Sequence, residues 1–443
     1  MSRATAAPSA AAGALVVELT PVPSRAASNR AVPRSRTAIN SAFEGTPGRM
    51  RVLAFVAAVV AAAFGLVGAM SLWSSAGALE RADHNTAQVV RIQGIYADLV
   101  RADADATSSF LVGGIEDPVQ RADYDASLDR VATGIADAAD AQPADSEALG
   151  ALNAKVQDYA ATIEEARAYN RQGLPVGAQY LSGASATLRS DILPIVRALV
   201  DANKARADAE FDASSRLLTL ILAGLGALAV LVLVMVWLAR RTHRYLNPSM
   251  FVGSLVVVLA LGIAIVTLAG VGSQVQAVRN SSFAYTVKLA DARTAAYDAK
   301  SNESLTLIAR GSGTAYEKEW QRQSDSLLSS LAALDSTTQS RLKSEWDAYK
   351  TQHEAIRKAD NGGGWEDAVA LALKTGPGTA NAAFSTFTAD ADQSLKAFGD
   401  DTSRSLLGPV TWVTILGWLL LALCAGAAVL MLRGMGQRIE EYR

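Results

Sequence analysis

The sequence predicts an all-α membrane protein, with four transmembrane helices and two tandem extracytoplasmic up-down four-helix bundles. Three observations predict it. Four stretches carry no charged residue, the segments between them repeat apolar residues every three or four positions, and the whole arrangement occurs twice.

The uncharged stretches come first. Only 19% of the 443 residues are charged, against about 25% in a soluble globular chain. The deficit is concentrated in Val52–Leu79, Leu217–Ala239, Met250–Val278 and Ser405–Leu432. Each is longer than the roughly 20 residues that span a bilayer as a helix. The spans are placed at 52–74, 217–239, 250–272 and 410–432, which excludes cytosolic enzyme folds. Ala76-Gly77-Ala78 resembles a small-residue cleavage site. However, the apolar run before it is too long for a signal-peptide core of about 7–15 residues, so the first span is expected to stay.

Charge then orients the chain. Residues 1–51 hold seven Arg against Glu18 and Glu44. The 240–249 loop holds Arg240, Arg241 and Arg244, and the 433–443 tail holds Arg433, Arg438 and Arg443. Segment 75–216 has 22 acidic and 13 basic residues, and 273–409 has 17 and 15. Short basic loops remain in the cytoplasm. Both termini are therefore expected inside the cell membrane, and the two large segments outside. Trp73, Trp237 and Trp412 lie near span ends, as interfacial anchors do. The 1–51 arm, rich in Ala, Ser, Pro and Arg, reads as disordered.

The outer segments read as helix throughout. In 75–216 the first helix continues from span one through Ile92, Ile95, Leu99 and Phe110. Pro118 starts a second helix with Tyr124, Leu128, Val131 and Ile135. A turn over residues 141–146 leads to a third, with Leu149, Leu152, Val156, Tyr159, Ile163 and Ala166. Gly173-Leu174-Pro175 ends it, and a fourth helix runs into span two with a kink expected at Pro194. Segment 273–409 repeats the pattern over about 273–310, 314–335, 339–360 and 364–407. Gly311-Ser312-Gly313 follows Gly113-Gly114 by 198 positions. Gly376-Pro377-Gly378 breaks its last helix early, and Gly183 is the expected counterpart. Helices one and four of each unit, at roughly 40 residues and 60 Å, outreach the roughly 25-residue middle pair. Each bundle thus stands on two stalks that enter the membrane.

Chemistry is sparse. There is one cysteine, Cys424, and three scattered histidines, His84, His243 and His353, so no disulfide framework or Cys-based metal site is expected. No phosphate-binding loop, dinucleotide fingerprint or metalloprotease motif occurs, so no enzyme, cofactor, metal or nucleic-acid partner is expected. Gly362-Gly363-Gly364 reads as a turn and helix start. Asp98, Arg101, Asp103 and Asp105 read as a solvated helix face with internal ion pairs rather than a cation site. His353 lies on an apolar register and reads as a core residue with a partner. The spans lack ionisable residues, which disfavours transport. Gly65, Gly68, Gly224, Gly226, Gly262 and Gly426 suit close packing of spans.

Partner contacts are therefore expected at loops. Outside, the tip residues are Glu116, Asp117, Asn170, Arg171, Gln172 and Trp365. Inside, they are Arg240, Arg241, Arg244, Arg438 and Tyr442, where basic residues also meet anionic lipid.

The unit of span, outer four-helix bundle and span resembles the sensory half of chemoreceptors and histidine kinases. Its echoes are the third-helix ends, Ala166 to Gly173 and Ala355 to Gly362. The chain departs from that family in having no cytoplasmic signalling rod. The tandem pair without an effector is similar to the actinobacterial GlnX-type membrane proteins. That resemblance implies an amino-acid-binding lipoprotein as outer partner and a soluble Ser/Thr kinase inside. A second copy of the chain is a further candidate partner. A signal transducer relaying by stalk-helix movement is the leading reading. An envelope scaffold and a transport component are its rivals.

Overall fold

The computed structural model describes residues 46–112, 116–214, 217–242 and 248–440. Every regular element among them is helical, and four helices are long and apolar enough to cross a membrane. The exposed large apolar side chains concentrate on those helices: Phe55, Leu66 and Met70, then Leu218 and Leu222, then Val266, then Ile415 and Trp418. A soluble surface would not carry such a belt. The chain is a multi-pass membrane protein.

Helix α1, Thr46–Phe110, is a single rod of 65 residues, about 97 Å long at 1.5 Å per residue. It starts earlier than expected, because Pro47 suits a first helical turn. Residues 46–51, read as part of the disordered arm, are helical, and residues 1–45 lie outside the described residues. Pro118 opens α2, Pro118–Ala141, where the Asp117 side chain accepts from Val119 N at 2.9 Å. A short turn over Pro143–Asp145 leads to α3, Ser146–Arg171.

The fourth helix of the first unit is α4, Val176–Thr187, followed by α5, Leu193–Ala213, with a π-helical turn over Leu188–Ile192 between them. Pro194 has no N–H for the carbonyl four residues back, and its ring presses on that carbonyl. The wide turn just before it relieves the clash. Gly183 lies inside α4, so the expected break there does not occur.

Helix α6, Leu217–Thr242, and helix α7, Pro248–Asn280, form spans two and three. The second unit follows with α8, Ser282–Ile308, α9, Thr314–Leu331, and α10, Ser336–Asn361. Its fourth helix is split into α11, Trp365–Leu373, and α12, Ala380–Leu407. Gly376 and Gly378 at the break take φ values of 104° and 76°, open to glycine alone at no cost. Helix α13, Val410–Glu440, is span four.

Four unbroken outer-to-span rods were expected; among the described residues α1 is unbroken, while the lines α7–α8 and α12–α13 each carry a joint. Ser281 departs from helical geometry between α7 and α8, at φ −124° and ψ −100°. Pro409 lacks the N–H that would join α12 to α13. Helix α5 ends at Ala213, with residues 215–216 outside the described residues.

The two units share a packing scheme. Ile92, Ile95 and Leu99 of α1 correspond to Leu289, Ala292 and Ala296 of α8, an offset of 197. Leu152, Val156 and Tyr159 of α3 correspond to Leu342, Trp346 and Tyr349 of α10, an offset of 190. The lost seven residues are two helical turns. They come largely from α9, which has 18 residues against 24 in α2.

The bundles are not separate pillars. Helices α1 and α8 run side by side, Tyr297 of α8 is buried in the first bundle's core, and α8 is enclosed on all sides from Ala295 to Leu307. At the membrane, α1 packs most extensively on α13. A Cβ on Gly65 would strike Cys424, and one on Gly68 would lie 2.7 Å from Leu420. Gly224 likewise receives Leu261 of the neighbouring span. Gly226, Gly262 and Gly426 meet no neighbour, so their expected packing role does not hold. Trp73 donates to Thr414 O at 3.2 Å and its ring lies 4.6 Å from that of Trp418, so it joins two spans.

Candidate functional site

The expected tip residues divide into those that share a space and those spent on the fold. Glu116, Asn170 and Arg171 line one cleft at the end of the first bundle, with Arg121 and Arg167. Glu116 pairs with Arg167 at 3.1 Å, and the Asn170 amide donates to Phe110 O at 3.3 Å. Asp117 caps α2, and the Gln172 amide donates to Ala168 O at 3.1 Å. Trp365 belongs to the second bundle, where its indole N–H donates to Leu307 O at 2.8 Å.

Toward the other end of the spans, Arg240 borders a groove between α1 and α6 with Leu53, Val56 and Trp237. Arg241 and Arg438 lie on α6 and α13, while Arg244 and Tyr442 lie outside the described residues.

The densest polar chemistry lies where sequence reasoning placed a solvated face. Asp103 is 0% exposed. One of its oxygens accepts from Ser185 Oγ at 2.5 Å and Tyr159 Oη at 3.2 Å, and the other accepts from Ser301 Oγ at 2.7 Å. Arg189 on the π turn reaches Asp103 at 3.1 Å and Asp298 at 3.0 Å. It also donates to Ser301 Oγ at 3.1 Å. One guanidinium thus ties α1 and the fourth helix of the first bundle to α8 of the second. Burial pushes the Asp298 carboxyl above its usual range, and Arg189 only partly offsets this. Burial, with the Asp103 charge beside it, also pushes the Tyr159 phenol up, so it remains a donor. Of the expected pairs along the helix, Arg101 meets Asp105 at 3.8 Å, whereas Asp98 reaches across to Arg130 of α2 at 2.9 Å. Asp103 differs because a second helix lies against its face.

Beside this junction a polar groove of about 490 Å³ opens between the bundles. Gln93 and Tyr96 of α1, Arg197 and Asp201 of α5, and Lys288 and Asp291 of α8 line it, so charges of both signs face one space.

The second bundle holds its own buried network. Glu303, 0% exposed, meets Lys300 at 2.7 Å, His353 Nδ1 at 2.8 Å and Tyr349 Oη at 3.1 Å. The His353 ring stacks on Trp320 at 3.7 Å, and its Nε2 lies 3.5 Å from Glu317, which also pairs with Arg357. Burial would raise the Glu303 carboxyl, but Lys300 and His353 overcome it and hold it at about 2.

Sequence spacing gives no sign of these networks. Asp291, Thr294, Asp298 and Asn302 recur at helical spacing as a solvated stripe would, yet Asp298 and Asn302 are buried.

No curated protein and no solved structure matches the chain. Residues 78–212 match the family model of the actinobacterial sensor domain, so the first outer bundle, from the outer part of α1 to the end of α5, is similar to that family of sensors.

Proposed function

We propose that the chain is a non-enzymatic transmembrane signal transducer, with both termini and the 243–247 connection in the cytoplasm and the two bundles outside. The cue reaches the outer bundles, and an amino-acid-loaded binding lipoprotein is the partner that fits the resemblance. Output passes to a separate cytoplasmic protein such as a Ser/Thr kinase, through Arg240, Arg241 and the end of α13.

The observation that carries this reading is the Asp103–Arg189–Asp298 junction. A rearrangement in either bundle must reposition Arg189, whose two carboxylate partners stand on α1 and α8. Because α1 runs unbroken into the membrane and packs on α13, a shift at the junction has a stiff route to the spans. Helix shifts of about 1–2 Å are an established switching mode. The joints at Ser281 and Pro409 leave the other stalks free to pivot.

The test is site-specific photocrosslinking in living cells, with the reactive group at Gln172 for the outside and Arg241 for the inside. The reading predicts a solute-binding lipoprotein from Gln172 and a kinase or other regulator from Arg241. Capture of cell-wall enzymes from both sites would overturn it in favour of an envelope scaffold.

A further inference from the structure

The two bundles close their distal ends differently. In the second, the Trp365 indole donates to Leu307 O, and Arg310 covers the ring at 3.9 Å, so the end is plugged. In the first, the corresponding carbonyl of Phe110 receives the Asn170 amide, and a cleft of about 220 Å³ lies beside it.

The walls of that cleft combine apolar cover with uncommitted donors. Ala106, Phe110 and Pro118 supply the apolar part. Ser109, 4% exposed, has a hydroxyl without a hydrogen-bond partner. Arg167, 7% exposed, has its terminal nitrogens on Glu116 and Glu164 and its plane over Tyr124 at 4.0 Å, while its Nε is unpartnered. Arg121 is held by Asp125 and Glu164. Arg171 is exposed and makes no ion pair among the described residues. Buried polar groups are nearly always satisfied, so these two donors on one small cleft are free to meet a guest. Arg121 and Arg167 are balanced by Asp125, Glu164 and Glu116, which leaves Arg171 as the one uncompensated charge on the cleft wall among the described residues.

We propose that this cleft binds a small organic carboxylate. Arg171, the Arg167 Nε–H and the Ser109 hydroxyl donate to its oxygens, and Phe110, Ala106 and Pro118 cover its carbon chain. Guanidinium groups recognise carboxylate and phosphate alike. The apolar wall favours the ligand with a hydrocarbon part. The volume lies below the usual range of small-molecule pockets, which limits the chain to a few carbons. This deepens the sensor reading by giving the cue a chemistry, but binding and relay can fail separately.

The experiment is calorimetric titration of the full-length protein in lipid nanodiscs with acetate, succinate and glutarate, and with inorganic phosphate for comparison. At least one carboxylate should bind saturably, at least tenfold more tightly than phosphate. Arg171→Gln should weaken it at least tenfold, Arg171→Lys should retain part of it, and Trp365→Phe should leave it unchanged. Arg171 holds nothing in the fold, so an unaltered melting temperature certifies that variant. Absence of saturable carboxylate binding, equal binding of phosphate, or indifference to both Arg171→Gln and Ser109→Ala would overturn the proposal. Binding without any change in distance between spin labels on the stalks would leave the site standing and overturn the relay.

Discussion

Ser301 donates its hydroxyl hydrogen bond to Asp103 at 2.7 Å, across the boundary between the two bundles. The two residues are 198 positions apart, the spacing that separates Gly113 from Gly311. The first outer helices of the two units therefore run in parallel, level to within a residue. Their contact is a buried polar one, completed by Arg189.

Removing the carboxylate should be costly. Asp103→Ala leaves Arg189 with Asp298 as its one carboxylate and strips acceptors from Ser185, Tyr159 and Ser301. Breaking a buried pair by one partner costs about 3–5 kcal/mol. Ser301→Ala removes a single hydrogen bond and should cost about 1 kcal/mol. Thermal unfolding of the purified full-length protein measures both, and equal effects of the two substitutions would contradict this ranking.

The second bundle should show a pH-dependent stability of defined sign. Burial alone would lower the His353 imidazole, but the hydrogen bond to Glu303 and the Glu317 carboxylate beside it raise it above its ordinary 6.5. A raised imidazole contributes stability that is complete below about pH 6.5 and fades as pH climbs through the folded value. Glu303 acts oppositely, contributing above 4.5 and losing that contribution as pH falls toward 2. Melting temperature should therefore decline on the alkaline side of about pH 6.5. In His353→Gln that decline should shrink, from a lower starting value. A variant that keeps the full decline would show that another group causes it.

The span packing can be read by adding a methyl group. A Cβ on Gly65 would strike the Cβ of Cys424, closer than side chains pack. Gly65→Ala should push α1 and α13 apart and cost about 1–3 kcal/mol, whereas Gly226→Ala, which meets no neighbour within the chain, should leave the melting temperature nearly unchanged. Equal effects of the two substitutions would contradict this packing.

Much of this architecture was legible in the sequence, and the reasons are physical. Spans declare themselves by excluding charge, and α3 and α10 by unbroken apolar spacing from Leu149 to Ala166 and from Leu342 to Ile356. Pro118 and Pro194 mark a start and a distortion because each lacks an N–H, whereas the joint at Pro409 went unread. What stayed hidden was the contact between units. Asp103 sits among Asp98, Arg101 and Asp105, and periodicity alone cannot tell a face met by water from a face met by another helix. The tip residues were legible as tips but not by task. Asp117 is a cap and Trp365 a plug, whereas Arg167, unremarked in sequence, lines the cleft beside Arg171.

The most direct test of the account is whether the two bundles move as one body through the Asp103 junction. In a Cys424→Ala background, spin labels at Thr133 of the first bundle and Ser344 of the second, both exposed, report their separation by pulsed dipolar spectroscopy in nanodiscs. The account predicts one narrow distance distribution that broadens when Asp103→Ala is added. A distribution already broad in the parent, or one that Asp103→Ala leaves narrow, would contradict it.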